Sequence, residues 1–155
     1  MWNSITRCVR GKALTVMCTG AVLGGLAVAQ PAQAAAADTC RTLSATVNNS
    51  AGQAGGHVQG TFCINTNDYS AYLHSGYYNY VEDYQADGVA ARAWVLHGGI
   101  TNGPLATDST STSGGTELGP WDSTGFGSTL RLYVCLGTTS PGNTGARCAS
   151  SSMSA

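Results

Sequence analysis

The chain is 155 residues long, 10% charged and 43% hydrophobic, with a formal net charge of −1. That length suits one domain. The few cations form no cluster beyond Lys12, which excludes the basic footprint of a nucleic-acid binder or of a protein held on anionic membranes.

In chain order, Arg7, Arg10 and Lys12 precede an apolar run from Ala13 to Ala29, and Ala32-Gln33-Ala34 reads as a small-x-small cleavage site. This is the pattern of a secretory signal peptide over residues 1–34, with a secreted domain over 35–155. The run is short for a membrane span, so no membrane attachment is expected after cleavage. Cys18 follows Met17 and Cys40 follows Thr39, so neither has the small residue that precedes a lipidated bacterial cysteine. The expected mature chain has no lysine, and Arg41, Arg92, Arg131 and Arg147 face eight acids, for a net charge of −4. Cys8 and Cys18 leave with the signal. Cys40, Cys63, Cys135 and Cys148 remain, an even set that predicts two disulfides in an exported protein.

Arg41 to Val47 alternates with Leu43, Ala45 and Val47 on one face, and Val58 to Ile64 alternates with Val58, Phe62 and Ile64 on one face. The Gly- and Asn-rich stretch between them is a loop. Setting Cys40 opposite Cys63 in an antiparallel pair brings Leu43 against Gly60, Ala45 against Val58 and Thr42 against Thr61. One register therefore satisfies both the disulfide and the burial pattern, and a loop of that size closed by a disulfide stabilises by roughly 3 kcal/mol in the chain-entropy model. Asn65 to Asp68 reads as an Asx turn, since it lacks the remaining ligands of a calcium loop. Tyr69 to His74 can hold a short strand.

Tyr77 to Leu96 reads as a hairpin turning at Ala86-Asp87-Gly88, because Gly88 takes positive φ freely and both flanks are rich in β-formers. Two registers are open. A two-residue loop sets Asp83 opposite Arg92 and Val81 opposite Trp94, and a three-residue loop sets Glu82 opposite Arg92 and Tyr80 opposite Trp94. Either gives a favourable charge pair. The alternation of Val89, Ala91, Ala93 and Val95 marks their face as core, which turns Arg92 and Trp94 outward. The three-residue register is preferred, because inward tyrosines would carry the Glu82 charge into the core. It predicts an outward platform of Tyr78, Tyr80, Tyr84, Arg92 and Trp94.

Gly98 to Gly127 reads as a long polar loop with one short strand near Glu117 and Leu118, either functional or mobile. Trp121 within it is a lid over the end of the fold or an exposed anchor. Leu130 to Leu136 is the clearest buried strand, with Leu130, Leu132, Val134 and Leu136 inward. A short edge strand then carries Cys148 back to Cys135, and Ser150 to Ala155 is expected to be disordered. Six or seven short strands, Gly- and Pro-rich turns and no helical periodicity predict an all-β, single antiparallel β-sandwich. The apolar supply is thin, which gives two disulfides their importance.

No catalytic, phosphate-binding or metal motif is present, and no cofactor or metal ligand set is expected. His57, His74 and His97 lie far apart, each in or beside a loop, and read as surface residues. Tyr and Trp on a flat sheet face stack on sugar rings or anchor protein partners. They are also ordinary strand formers that would pack on a neighbouring sheet.

The Lys-free mature chain, its signal, the run Tyr-Val-Glu-Asp-Tyr-Gln-Ala-Asp-Gly from Tyr80 to Gly88, and Val134-Cys135 in the last long strand together resemble the small secreted β-sandwich proteins of actinobacteria, of unassigned function. The scheme of a secreted two-disulfide sandwich is also similar to that of the apoproteins of enediyne antibiotics, without a shared motif. Neither likeness brings functional residues with it. The expectation is a non-catalytic binding module whose partner is an extracellular glycan or protein, using the hairpin aromatics or the 99–127 loop. An inhibitor of an extracellular hydrolase is the alternative, and a small hydrolase the third reading.

Overall fold

The computed structural model describes residues 37–111, 114–125 and 127–155. The signal segment expected over 1–34, with its cleavage site, lies outside the described residues. Within them the chain forms ten strands and no helix. They are β1 (Asp38–Asn48), β2 (Ala54–Asn65), β3 (Ala71–Leu73), β4 (Tyr80–Asp83), β5 (Ala91–His97), β6 (Ile100–Asp108), β7 (Thr116–Glu117), β8 (Asp122–Ser123), β9 (Thr129–Leu136) and β10 (Arg147–Ser154).

The first sheet runs β7-β4-β2-β3-β8, with β1 also paired to β2, and the second runs β10-β9-β5-β6. β2 is the hinge of the first sheet. β1 takes one edge along its whole length, while β4 and β3 share the other edge end to end. The expected β1–β2 register is observed, with Cys40 opposite Cys63, Leu43 opposite Gly60, Ala45 opposite Val58 and Thr42 opposite Thr61. Both expected disulfides are present, Cys40–Cys63 and Cys135–Cys148. Disulfides of this kind are typical of extracellular proteins.

Inward residues of both sheets make one core. Leu43, Val58, Phe62, Ile64 and Val81 come from the first sheet, and Ala91, Ala93, Val95, Leu130, Leu132, Val134 and Met153 from the second. Each large side chain so buried contributes about 1.5–3 kcal/mol relative to exposure. The sheets approach closely where β2 meets β5. A Cβ on Gly56 would lie 2.8 Å from the Ala91 Cβ, so the small residues set the spacing there.

Three expectations are corrected. First, Tyr77 to Leu96 is not a hairpin. β4 pairs with β2 and β7 in the first sheet, whereas β5 pairs with β9 and β6 in the second. The Asp87-Gly88 turn exists, with Gly88 at φ 76° and the Val89 N–H donating to Asp87 Oδ1 at 2.8 Å, but it sits in a connection that crosses between sheets. Each strand has a better partner elsewhere: Val81 lies opposite Val58, and Ala93 opposite Val134. Neither charge pair forms, because Glu82 faces His57, Asp83 faces Gly56, and Arg92 faces Thr107 and Cys135. Val89, assigned to the core face, is 39% exposed in the crossing segment.

Second, residues 98–127 are not one loop. Gly98-Gly99, at φ 59° and 82°, forms a two-residue turn between His97 and Ile100, and the nine-residue β6 follows along β5. Positive φ at both turn residues matches the twist of a hairpin. Third, the C-terminal residues are ordered. β10 runs to Ser154, and Met153 is 3% exposed within the core.

Candidate functional site: the outward face of the first sheet

The strand registers decide which side chains share the outward face. Val58 and Val81 point into the core and oppose each other, so the residues alternating with them point out: His57 and Gln59 on β2, Tyr80 and Glu82 on β4. The β1 register adds Thr42, Ser44 and Thr46, and the β3 register adds Tyr72 opposite Cys63. Glu117 lies opposite Tyr80, and Asp122 opposite Tyr72.

Rings gather at two places on this face. Tyr78 stacks on Tyr80 at 4.8 Å between centroids and 27° between planes, and His57 stacks on Tyr84 at 6.3 Å and 15°. His57 also lies 5.8 Å from Tyr80, which joins the two pairs into one cluster. The second place joins Tyr72, His74 and Tyr77, with centroid separations of 6.4 and 4.9 Å. Tyr78 is 61% exposed and Tyr77 56%.

Neighbouring groups fix these rings from the side. β1 hydroxyls hold His57, with Thr46 Oγ1 2.9 Å from Nδ1 and Ser44 Oγ 3.3 Å from Nε2. The Tyr78 hydroxyl donates to the Gly114 carbonyl, and the Gly114 N–H reaches Glu82 Oε1 at 3.4 Å. Asn79, buried, accepts from the Thr61 N–H at 2.8 Å and donates to the His74 carbonyl at 2.9 Å. It thereby anchors the turn that presents Tyr77 and Tyr78. Below the cluster, Asp108 Oδ2 accepts from the Asp83 N–H at 3.0 Å and ties the end of β6 to β4.

Glu82 shapes the electrostatics. Burial lowers the His57 pKa, and the Glu82 charge offsets part of that. Burial raises the Tyr80 hydroxyl pKa, with the Glu82 and Tyr78 charges adding to it. Burial, the charges of Glu82 and Tyr80, and a hydrogen bond to Glu82 all raise Tyr84. Among the described residues, no Lys or Arg occupies an outward register position of this sheet. The face is aromatic, hydroxyl-lined and negatively charged.

The expected platform therefore divides. Tyr78, Tyr80 and Tyr84 are together here, whereas Arg92 and Trp94 lie on the outward side of the second sheet. There Trp94 sits opposite Tyr133, and Arg131 lies 6.0 Å from the Tyr133 ring centroid. The β6 backbone at Gly103 lies against the Trp94 indole, whose Nε1 is buried without a partner among the described residues. Trp121 is 9% exposed and packs in the core edge-on to Phe62 at 5.8 Å and to His97 at 6.2 Å. It is the lid over the end of the core. His57, Tyr72, His74 and Tyr77 belong to the aromatic face and were not expected there. The signal for His57 was its place next to Gln59 on the polar side of β2, which meant little without the β4 register.

His97 corrects the surface reading, at 3% exposure. Its Nε2 lies 2.8 Å from the Gly127 carbonyl, which can only accept, so Nε2 carries the proton. Nδ1 lies 2.5 Å from the Ser123 hydroxyl. A cleft of about 290 Å³ lined by His97, Asn102, Asp122 and Ser123 adjoins the pair. The imidazole bonds to a hydroxyl and a carbonyl, and both nitrogens are accounted for without a carboxylate. Among the described residues no group of three or more His, Cys, Asp or Glu could hold a metal ion.

No family model, no curated protein and no solved structure matches the chain.

Proposed function

We propose that the chain is an exported β-sandwich protein whose first sheet presents a non-catalytic binding face, with an extracellular glycan as its ligand. The observation that carries this reading is the stacked set Tyr78–Tyr80 and His57–Tyr84, in which hydrogen bonds hold His57 and Tyr78 while Tyr78 and Tyr84 are exposed to solvent. Preorganised rings lose little rotamer freedom when a ligand docks. Tyrosine combines an apolar ring for a pyranose face with a polar tip for its hydroxyls. The rows of Thr42, Ser44, Thr46 and Gln59 add further hydrogen-bonding partners beside the rings.

A protein ligand draws less support. The exposed tyrosines would serve a protein interface equally, but charged residues are depleted at the centre of such interfaces, and here Glu82 lies opposite His57 within the ring cluster. An inhibitor would need a presented loop, and much of the 99–127 segment is instead engaged in β6. The test is depletion of the purified protein by insoluble polysaccharides. Tyr80→Ala should abolish retention, and Trp94→Ala, on the other sheet, should leave it unchanged. Equal retention of both variants with the parent would refute the assignment of the face.

A further inference from the structure

Resting on the glycan reading above, we infer that the ligand is a cationic amino sugar polymer, one carrying free ammonium groups along its chain. The same face that offers rings to a sugar carries, among the described residues, only acids as formal charges at its outward register positions. Glu82 stands opposite His57, shares the outward face with Tyr80 and Tyr84 two residues to either side, and accepts a hydrogen bond from Tyr84, so its carboxylate lies among aromatic side chains. Asp38, Glu117 and Asp122 occupy further outward positions, and Asp38 accepts the Tyr72 hydroxyl at 2.8 Å.

A carboxylate set among aromatic rings is a good site for an ammonium ion. The carboxylate supplies the countercharge and hydrogen-bond acceptor, and the ring faces add cation–π attraction. For a neutral glycan the same carboxylate would need only to accept hydroxyl bonds, which an amide does as well. Glucosamine units present both features this face can read, a pyranose ring for stacking and an ammonium for Glu82. A lysine-rich protein shares the charge but not the ring.

The experiment compares chitosan, a glucosamine polymer, with chitin, which has the same backbone with acetylated amines, and with cellulose. Soluble poly-lysine serves as the protein-like competitor. We expect retention on chitosan at least about tenfold above chitin, most of it lost near 1 M salt, where the Debye length falls to about 3 Å. Glu82→Gln, which keeps the acceptor for the Gly114 N–H, should lower chitosan retention to the chitin level, a loss of about tenfold. Asp87→Asn, an acid removed from the sheet-crossing turn, should change nothing. Equal retention on chitin and chitosan, insensitive to Glu82→Gln, would overturn the ammonium assignment and leave the glycan reading standing. Retention on none of the three polysaccharides would overturn the glycan reading itself. Poly-lysine binding without chitosan binding would assign the face to a protein partner and overturn both.

Discussion

The two sheets share one core and the same alternation of inward and outward residues, yet they turn opposite faces to solvent. The outward side of the first sheet carries Tyr72, Tyr80, His57 and Glu82, with no cation at its register positions among the described residues. The outward side of the second carries Arg92, Arg131 and Tyr133, and its Trp94 is partly covered by the β6 backbone at Gly103. Alternation alone cannot separate these sides, because it says only which residues leave the core. Partner strands make the difference. β1 and β7 widen the first face with hydroxyls and acids, while β6 covers part of the second.

The largest expected effect bears on what the sheets have in common. Phe62 is fully buried under the first sheet and carries the edge-on contact with Trp121. Phe62→Ala should cost about 3–5 kcal/mol in chemical denaturation and destabilise both sheets together in a single transition. Separate transitions would show that the core is not shared. The disulfides come next. Removing either should cost about 3 kcal/mol. Cys40–Cys63 spans 23 residues and Cys135–Cys148 spans 13, so loss of the first should cost about 0.5 kcal/mol more, measured by urea midpoints of the two double Cys→Ala variants.

Binding should distinguish the faces by a smaller energy. Tyr80→Ala should reduce polysaccharide retention at least about tenfold, or about 1.4 kcal/mol. Trp94→Ala should alter only stability.

The smallest effect concerns the buried acids that link the sheets. Burial raises the Asp83 pKa, with the Asp87 and Asp108 charges adding to it and a hydrogen bond from the Gln85 N–H opposing it. Burial also pushes Asp108 upward, but hydrogen bonds from Asp83, Ser109 and Thr110 outweigh that and hold it low. The signs therefore differ. Asp108 contributes stability that is present above its unfolded pKa and lost as pH falls through its lower folded value. Asp83 contributes stability that is present below its unfolded pKa and lost as pH rises through its higher folded value. Asp83→Asn, which keeps the acceptor for the Gln85 N–H, should raise the Tm at neutral pH, and the gain should vanish in acid. Asp108→Asn should lower the Tm at neutral pH, with less effect in acid.

Part of this arrangement could be read in the residues. The β1–β2 register followed because the Cys40–Cys63 bridge and the apolar faces agreed on one alignment, and β9 followed from uninterrupted alternation. The crossing between β4 and β5 did not follow. An Asp-Gly turn is a local preference that serves a hairpin and a sheet change equally, whereas the choice of Val58 as partner for Val81 is non-local. β6 was hidden by Gly103-Pro104 and its threonines. Its place at the edge of the second sheet tolerates a proline that a central strand would reject. β10 was hidden by its serines, with Met153 as its one large apolar residue. The tyrosines of the candidate face were visible as a group, but the β2 register alone brings His57 to them and takes Trp94 away.

The central claim is that the outward face of the first sheet is where a glycan docks. Backbone amide chemical shifts recorded during titration with a glucosamine hexamer test it most directly. The largest changes should fall on His57, Tyr78, Tyr80, Glu82, Tyr84 and Gly114, with Arg92, Trp94, Arg131 and Tyr133 unmoved. Changes centred on the second sheet would contradict it.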